Sequence, residues 1–432
     1  MTSLDVRSRY RFMSSGDAFI LDELPAGFTV GCDTTSFNST QPFPGFRDIP
    51  PGVHLIWVAP SESTSSRSGY WICTPEHDDT QPGHIYVKQW DKFNEVLRDP
   101  SSRVGEPLQN ESLAQRLAHL SPYHLREAST ESSHKLALSQ GDEDPPDLLG
   151  DQNIWYQLTS AIRPDLLSRI TGQTQNIWHV TTSDSVAGEA ILAEEARLYA
   201  SETSHLQFTF PMDVRLIHPE ARGEDRTRQA LDPTGWIISK LESPTGDRRP
   251  EDLTGEFQFV FLVGMHLGNF SCLEQWFFLA TQLIFRSFSL ATDRPQQARD
   301  LIQTFHAQLL YNDRYLQGDV FDLMPEHARK LRLALTTYKA HVDEKLLALG
   351  DLCTPDQQSV SMAFSSLESW LRQFGWDLRG EYVRSGNVML EDGEVVQAEL
   401  SDFEDEDERG EFAPTVVELE NGKEAGLLSW DT

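Results

Sequence analysis

The sequence predicts an α+β protein: an N-terminal β-sandwich-like domain, then a C-terminal α-helical array, then an acidic disordered tail. Three observations predict it. Between residues 17 and 90, short apolar or alternating runs are separated by turn formers. From about Asp252 to Trp376, apolar residues recur at helical spacing. After Trp376 the chain becomes strongly acidic.

The β region reads in order as Ala18–Leu21, Phe28–Val30, Val53–Val58, Tyr70–Cys73 and Ile85–Trp90. Between these runs lie Leu24-Pro25-Ala26-Gly27, Pro42-Phe43-Pro44-Gly45, Pro50-Pro51-Gly52 and Gln81-Pro82-Gly83. Aromatic and β-branched side chains suit a pleated surface, and Pro and Gly fix the turns. Strands this short need a second sheet or a helix layer to bury one face. From Leu113 to Ile170 the period changes. Leu113, Leu117 and Leu120, then Trp155, Leu158 and Ile162, then Leu166, Leu167 and Ile170 sit at helical spacing. Residues 126–150, rich in Ser, Glu, Asp and Pro, read as a flexible insertion. Residues 205–218 suggest one more extended segment, and Arg222–Arg228 and Ser243–Pro250 read as polar linker.

Four helical faces follow: Leu273 to Ile284, Ala298 to Leu309, Leu331 to Leu349, and Leu367 to Phe374. Phe257–Leu267 is apolar nearly all round and is expected to be the central buried helix, with Gly264 and Gly268 allowing close approach of a neighbour. Pro295, Gly318, Pro325, Gly350 and Pro355 punctuate the array into short connections. These patterns place a β-rich domain at 12–218, a helical domain at 219–378 and a tail at 379–432. Within the tail, Phe412 to Glu420 is a strand-like island.

Charge restricts the function. The formal charge is −31, from 36 basic against 67 acidic residues. From Glu391 onward, 15 acids face only Arg409 and Lys423. Nucleic-acid affinity depends on cations displacing counterions from phosphates, so direct RNA or DNA binding is disfavoured and a basic protein surface is the natural partner. The four cysteines form no CxxC and suggest free thiols in a reducing compartment. No secretory signal is visible, and the longest uncharged run, Phe257–Leu273, is too short and polar to span a bilayer. The chain reads as soluble and intracellular, without membrane contact.

No catalytic, cofactor or metal site stands out. Nucleophile-elbow, zincin, P-loop and strand-linked dinucleotide motifs do not occur. Cys73 and His77 resemble half a zinc site, but no second pair lies nearby, and a coincidental loop is favoured. His341 with Asp343 and Glu344 reads as a solvated helix face, and His54 as a satisfied polar residue at a sheet edge. Trp276, Trp370 and Trp376 read as packing anchors. The tail segment Pro414, Thr415, Val416, Val417, Glu418, Leu419 is the candidate protein-binding site. An apolar β segment among polar neighbours needs a partner sheet, either its own sandwich or that of another protein, and intermolecular strand addition is the favoured reading.

Ordered motifs carry a family resemblance. They are Leu24-Pro25-Ala26-Gly27, Gly31 followed by Asp33, and Phe46-Arg47-Asp48-Ile49-Pro50-Pro51-Gly52-Val53-His54. Later come Gly255-Glu256-Phe257-Gln258-Phe259, Leu267-Gly268-Asn269, Glu274-Gln275-Trp276, Phe374-Gly375-Trp376-Asp377 and Ala413 to Leu419. In this order they resemble the A1-cistron splicing factor family, with departures confined to insertions at 126–150 and about 379–411. The resemblance implies a non-enzymatic, cofactor-free assembly chaperone of the U5 small nuclear ribonucleoprotein, found in cytoplasm and nucleus. Its implied partner is the large U5 scaffold protein, through RNase-H-like and Jab/MPN-like domains. There it would hold off premature docking of helicase and RNA, with the C-terminal strand adding to the partner's sheets. The rival readings are a generic helical-array adaptor unrelated to splicing and an enzyme with a non-standard interdomain site.

Overall fold

The computed structural model describes residues 16–60, 67–76, 83–93, 96–100, 116–123, 151–174, 176–186, 205–212, 214–218, 220–242, 248–316, 318, 320–323 and 325–378. It also describes strand segments at 385–389, 395–399, 415–418 and 424–428. The 126–150 insertion, His77 and most of the tail lie outside these residues.

The β region contains β1 (Asp17–Asp22), β2 (Phe28–Cys32), β3 (Thr35–Asn38), β4 (Gly45–Ile49), β5 (Gly52–Pro60), β6 (Ser68–Thr74), β7 (Ile85–Asp91), β8 (Val96–Arg98) and β9 (Ser121–Pro122). Helices α1 (Asp151–Thr159) and α2 (Pro164–Thr171) precede β10 (Ile177–Thr181), β11 (Ser185–Val186) and β12 (His205–Leu206). Two five-stranded sheets result, in the orders β8-β7-β1-β4-β9 and β10-β6-β5-β2-β3. All five runs read from sequence fall in strands. Of the others, several are short or polar, such as Thr35-Ser36-Phe37-Asn38, whereas β10 is apolar and alternates in burial but is not among those runs.

Alternation places the core. Phe19 and Leu21 of β1 face Val30, Ile56, Val58, Tyr70 and Ile72 of the second sheet, with Phe28 and Trp90 in edge-to-face contact at 4.9 Å. The opposite face of β1, Ala18 and Ile20, is covered by Leu117 and Leu120.

The helical region begins with α3 (Glu224–Leu231) and α4 (Thr234–Leu241), then α5 (Asp252–Leu267) and α6 (Phe270–Phe278). A π-turn at Leu279–Leu283 and a 3-10 turn at Ile284–Arg286 lead to α7 (Leu290–Asp293) and α8 (Pro295–Tyr315). Then come α9 (Val320–Leu323), α10 (Pro325–Leu349) and α11 (Pro355–Gln373). Pro295, Pro325 and Pro355 each open a helix, as suits a residue with no N–H to lose in the first turn. Thr354 caps α11 reciprocally with Gln357. In the tail, β13 (Ser385–Met389) pairs antiparallel with β14 (Val395–Glu399), and β15 (Thr415–Glu418) with β16 (Glu424–Leu428). The sequence reading foresaw one of these four strands. Among the described residues, no helix is long and apolar enough to cross a membrane.

Three local expectations change. Arg222–Arg228, read as linker, is largely the exposed helix α3, which buries none of its residues. The 205–218 stretch is a strand only at His205–Leu206, because the main chain of Thr209 and Phe210 is held by side chains instead. Gly268 is not inside the buried helix: it ends it in the left-handed conformation, φ 63°. Gly264 does serve close approach, since a Cβ there would lie 2.7 Å from Leu273 Cδ2 of α6.

Cα packing divides the chain into one unit of residues 1–280 with 300–325, and another of 281–299 with 326–432. This differs from the expected division at 218. The reason lies in α5, which belongs to the first unit and packs on the second sheet's outer face. Trp71 stacks on Phe259 at 5.9 Å, Trp57 lies 5.7 Å from His266, and Gly69 approaches Leu267. In the second unit, Tyr338 of α10 contacts Phe285 and Phe364 at 5.4 and 5.6 Å, and Lys339 pairs with Glu368 at 2.7 Å.

Candidate functional site

The Pro50-Pro51-Gly52-Val53-His54 motif builds a buried polar hub. His54 sits on β5, the middle strand of its sheet, and not at an edge; it is 3% exposed. Its Nδ1 lies 2.6 Å from Asp33 Oδ2, and its Nε2 2.9 Å from the Pro50 carbonyl oxygen. A carbonyl only accepts, so Nε2 carries a proton; a carboxylate accepts at Nδ1 as well. Burial lowers the imidazole pKa, but the charge and hydrogen bond of Asp33 and the bond to Pro50 outweigh it. The net shift is upward from 6.5.

Asp33 is the hub's centre. Its Oδ1 accepts from the Leu55 N–H at 2.9 Å and its Oδ2 from the Tyr123 hydroxyl at 2.6 Å. Its carbonyl accepts from the Tyr311 hydroxyl at 3.3 Å, and that hydroxyl also meets His266 Nε2 at 3.0 Å. The backbone at Asp33 has φ 52°, a left-handed turn position that Asp and Asn tolerate. The motif therefore ties the turn before β5, the turn after β2, Tyr123 and α8 together. These bonds hold the polar side chains of Asp33, His54, Tyr123 and Tyr311 against partners inside the fold.

The Gly255-Glu256-Phe257-Gln258-Phe259 motif does similar work on α5. A Cβ at Gly255 would lie 2.6 Å from the Ala161 carbonyl oxygen, so only glycine admits that loop. Gln258 accepts from Ala161 N–H at 2.9 Å and donates to Gln157 O at 2.7 Å. Asp252 binds Arg163 and Arg169, each at 2.6 Å. Asn269 caps α6 and donates to the carbonyls of Thr181 and Asp184. Trp276 donates to Gln308 from a fully buried position, the packing role read from sequence.

Glu256 is fully buried and accepts the N–H groups of Thr209 at 2.7 Å and Phe210 at 3.3 Å. Burial pushes its carboxyl from 4.5 up to about 7, against the smaller opposing pull of those donors and Arg169. A carboxyl whose folded pKa is raised holds its proton more tightly in the fold. Its contribution is therefore greatest below pH 4.5 and falls as pH rises toward 7. That shift corresponds to about 3 kcal/mol. His179 and His266, lowered to about 4 by burial, act in the opposite sense: their stabilisation is present above pH 6.5 and lost as pH falls toward 4. Glu256→Gln is expected to flatten the difference between urea midpoints at pH 5 and pH 8 relative to wild type. An unchanged difference would refute the assignment.

Of the tail residues predicted to bind protein, Thr415, Val416, Val417 and Glu418 form β15, and Pro414 and Leu419 lie outside the described residues. The register sets Thr415 against Leu428, Val416 against Leu427 and Glu418 against Glu424, with an irregularity at Val417. Only one edge of β15 is paired among the described residues.

The remaining sequence candidates separate. Cys73 is partly buried, and burial pushes its thiol up to about 12. His341 stacks on Phe288 at 4.5 Å and faces Glu344 at 3.9 Å on an open helix face. Nearby, a groove of about 230 Å³ is lined by Lys339, Asp343, Ser361 and Glu368 among others. Among the described residues, no three His, Cys, Asp or Glu side chains are grouped to hold a metal ion.

Known proteins resemble this chain in sequence. A family model described as the AAR2 N-terminal domain matches residues 15–172, and one described as the AAR2 C-terminal repeat region matches residues 208–379. The A1 cistron-splicing factor AAR2 of Saccharomyces cerevisiae is 25% identical over 263 residues, 58% of this chain and 66% of that protein. Protein AAR2 homolog of Caenorhabditis elegans is 24% identical over 163 residues, 37% of this chain and 36% of that protein. The match thus spans just under two thirds of the yeast protein and little more than a third of the nematode one. Both family models fall in order along the chain and together cover most of it, with the hub and the α5 clamps inside them: the chain belongs to the AAR2 family.

Proposed function

We propose that this protein is a pre-mRNA splicing factor that acts as an assembly chaperone of the U5 small nuclear ribonucleoprotein. In this reading it binds the large U5 scaffold protein through its RNase-H-like and Jab/MPN-like domains and holds off helicase and RNA until assembly is complete. It works by binding alone, moves between cytoplasm and nucleus, and touches neither nucleic acid nor membrane. The observation that carries the reading is membership of a family whose yeast relative is named a splicing factor. The charge of −31 supports a protein partner over bare RNA.

The tail strand is the proposed clamp. β15 has an edge without a neighbour among the described residues, and Glu418 stands opposite Glu424 in its ladder with β16. The β15–β16 ladder carries a register irregularity between Val416 and Glu418, and the other edge of β15 is the one open to a partner strand. Main-chain hydrogen bonds would supply affinity, and the acidic run before the strand would speed encounter with a basic surface. The test measures binding of the isolated scaffold domains to the full chain, to a chain ending at Gly410 and to Val417→Pro. Proline removes an N–H donor from the ladder. Truncation and Val417→Pro are each expected to weaken binding at least tenfold, about 1.4 kcal/mol. Equal affinity of all three proteins would remove the tail from the interface.

A further inference from the structure

The sandwich has an open seam at one side, and its geometry asks for a strand. β3 is the end strand of its sheet, paired only with β2 among the described residues. The main chain of Ser39 bonds inward, accepting from Gly27 N–H at 2.7 Å and donating to Phe28 O at 2.8 Å. Alternation along an antiparallel ladder then turns the main chain of Phe37 and Thr35 inward as well. It turns the N–H and C=O of Ser36 and Asn38 outward, to the open edge.

The side chains at this edge tell the same story independently. Phe37 stands opposite Val30, a core residue, so it points into the space between the sheets. It nonetheless remains 37% exposed. It lies 5.1 Å from Phe43, which lies 5.0 Å from Phe46 of β4 in the other sheet. The interior of the sandwich thus reaches an aromatic row beside a strand edge whose outward main-chain groups meet no strand among the described residues. Such an edge either is covered or invites pairing.

We propose that β3 is a docking edge for an extended strand of a heterologous protein partner, whose inward side chains close the Phe37–Phe43 seam. The chain's charge of −31 sets a second copy against itself and favours a strand flanked by basic residues. This is a site distinct from β15, and here the protein receives a strand where the tail donates one. Because the partner tested is the U5 scaffold, the inference rests on the function proposed above.

The experiment uses the full chain with purified RNase-H-like and Jab/MPN-like domains of the scaffold. Two readouts are taken: affinity, and hydrogen exchange of the β3 amides with and without the domains. Ser36→Pro removes an outward N–H and leaves the β2–β3 ladder intact; Phe37→Ser removes the apolar seam. Slowed exchange at Ser36 and Asn38 in the complex is expected, with an affinity loss of about tenfold in each variant. The thermal midpoint stays unchanged in Ser36→Pro and falls modestly in Phe37→Ser, which loses its contact with Phe43. Losses that multiply with that of Val417→Pro would establish two independent strand sites. Wild-type affinity in both variants, with β3 exchange unchanged on binding, overturns the inference and leaves the proposed function standing. Failure of the wild-type chain to bind either domain overturns the proposed function and this inference with it. Two other results overturn the inference alone. One is a dimer of the free chain that Ser36→Pro abolishes, which makes a second copy the occupant. The other is β3 protection in the free chain that vanishes on deleting residues 126–150, which makes the occupant internal.

Discussion

Asp33→Ala is expected to destabilise the fold by about 3–5 kcal/mol, the range for removing one member of a buried ion pair. The substitution leaves the Leu55 N–H, the Tyr123 hydroxyl and the His54 Nδ1–H without their acceptor. Asp33→Asn separates charge from shape. Asn tolerates the left-handed turn, and its amide can donate to a neutral His54 whose Nε2–H still reaches Pro50. Its expected cost is only about 1–2 kcal/mol. The pH dependence distinguishes the two states. A histidine whose folded pKa is raised contributes stability that is full below about pH 6.5 and lost as pH climbs through the folded value. Asp33→Asn should abolish that alkaline loss and move the His54 titration, followed by its ring NMR signals, downward. A His54 titration unchanged in Asp33→Asn would show that the pair does not exist as described.

Part of this organisation was legible in the sequence, and the reasons divide by residue type. Val53–Val58 is a nearly continuous apolar run and α8 carries an apolar stripe at helical spacing, so burial writes itself into both sequences. β3 and β9 are polar or two residues long and take their strand character from neighbours. The helix α3 buries nothing, which is why Arg222–Arg228 resembled a linker.

The hub was the hardest to read. Asp33, His54, Tyr123 and Tyr311 are separated by up to 278 positions, and no spacing rule brings them together. A signal existed nonetheless: His54 interrupts an apolar strand, and Asp33 stands before a strand in a turn. A polar residue inside a buried run implies a partner, though the partner's identity needs the fold. Glu256 and Gln258 carried the same signal within the most apolar helix of the chain. The candidate tail site was legible as an apolar island, and its ladder with β16 was not, because Glu424 to Leu428 has no alternation.

Helix α5 lies beyond the expected boundary at 218 yet packs on the second sheet, and it makes the last prediction. A fragment of residues 12–218 is expected not to fold on its own. It contains both sheets but lacks α5, whose Phe259, His266 and Leu267 cover Trp71, Trp57 and Gly69. Exposing Leu55, Trp57 and Trp71, at about 1.5–3 kcal/mol for each large apolar side chain, forfeits roughly 5–9 kcal/mol. Marginal stabilities of about 5–15 kcal/mol leave little after such a loss. The fragment also strands Arg163 and Arg169 without Asp252, and the Thr209 and Phe210 N–H groups without Glu256. A chain ending at Pro325 retains α5 and Tyr311 and so keeps the first packing unit whole. It is expected to melt cooperatively with a near-ultraviolet signal from the buried tryptophans. The shorter fragment should show neither a sigmoidal melt nor dispersed amide resonances. If residues 12–218 fold cooperatively, α5 is a lid on a self-sufficient sandwich, and the boundary read from the periodicity change is the true one.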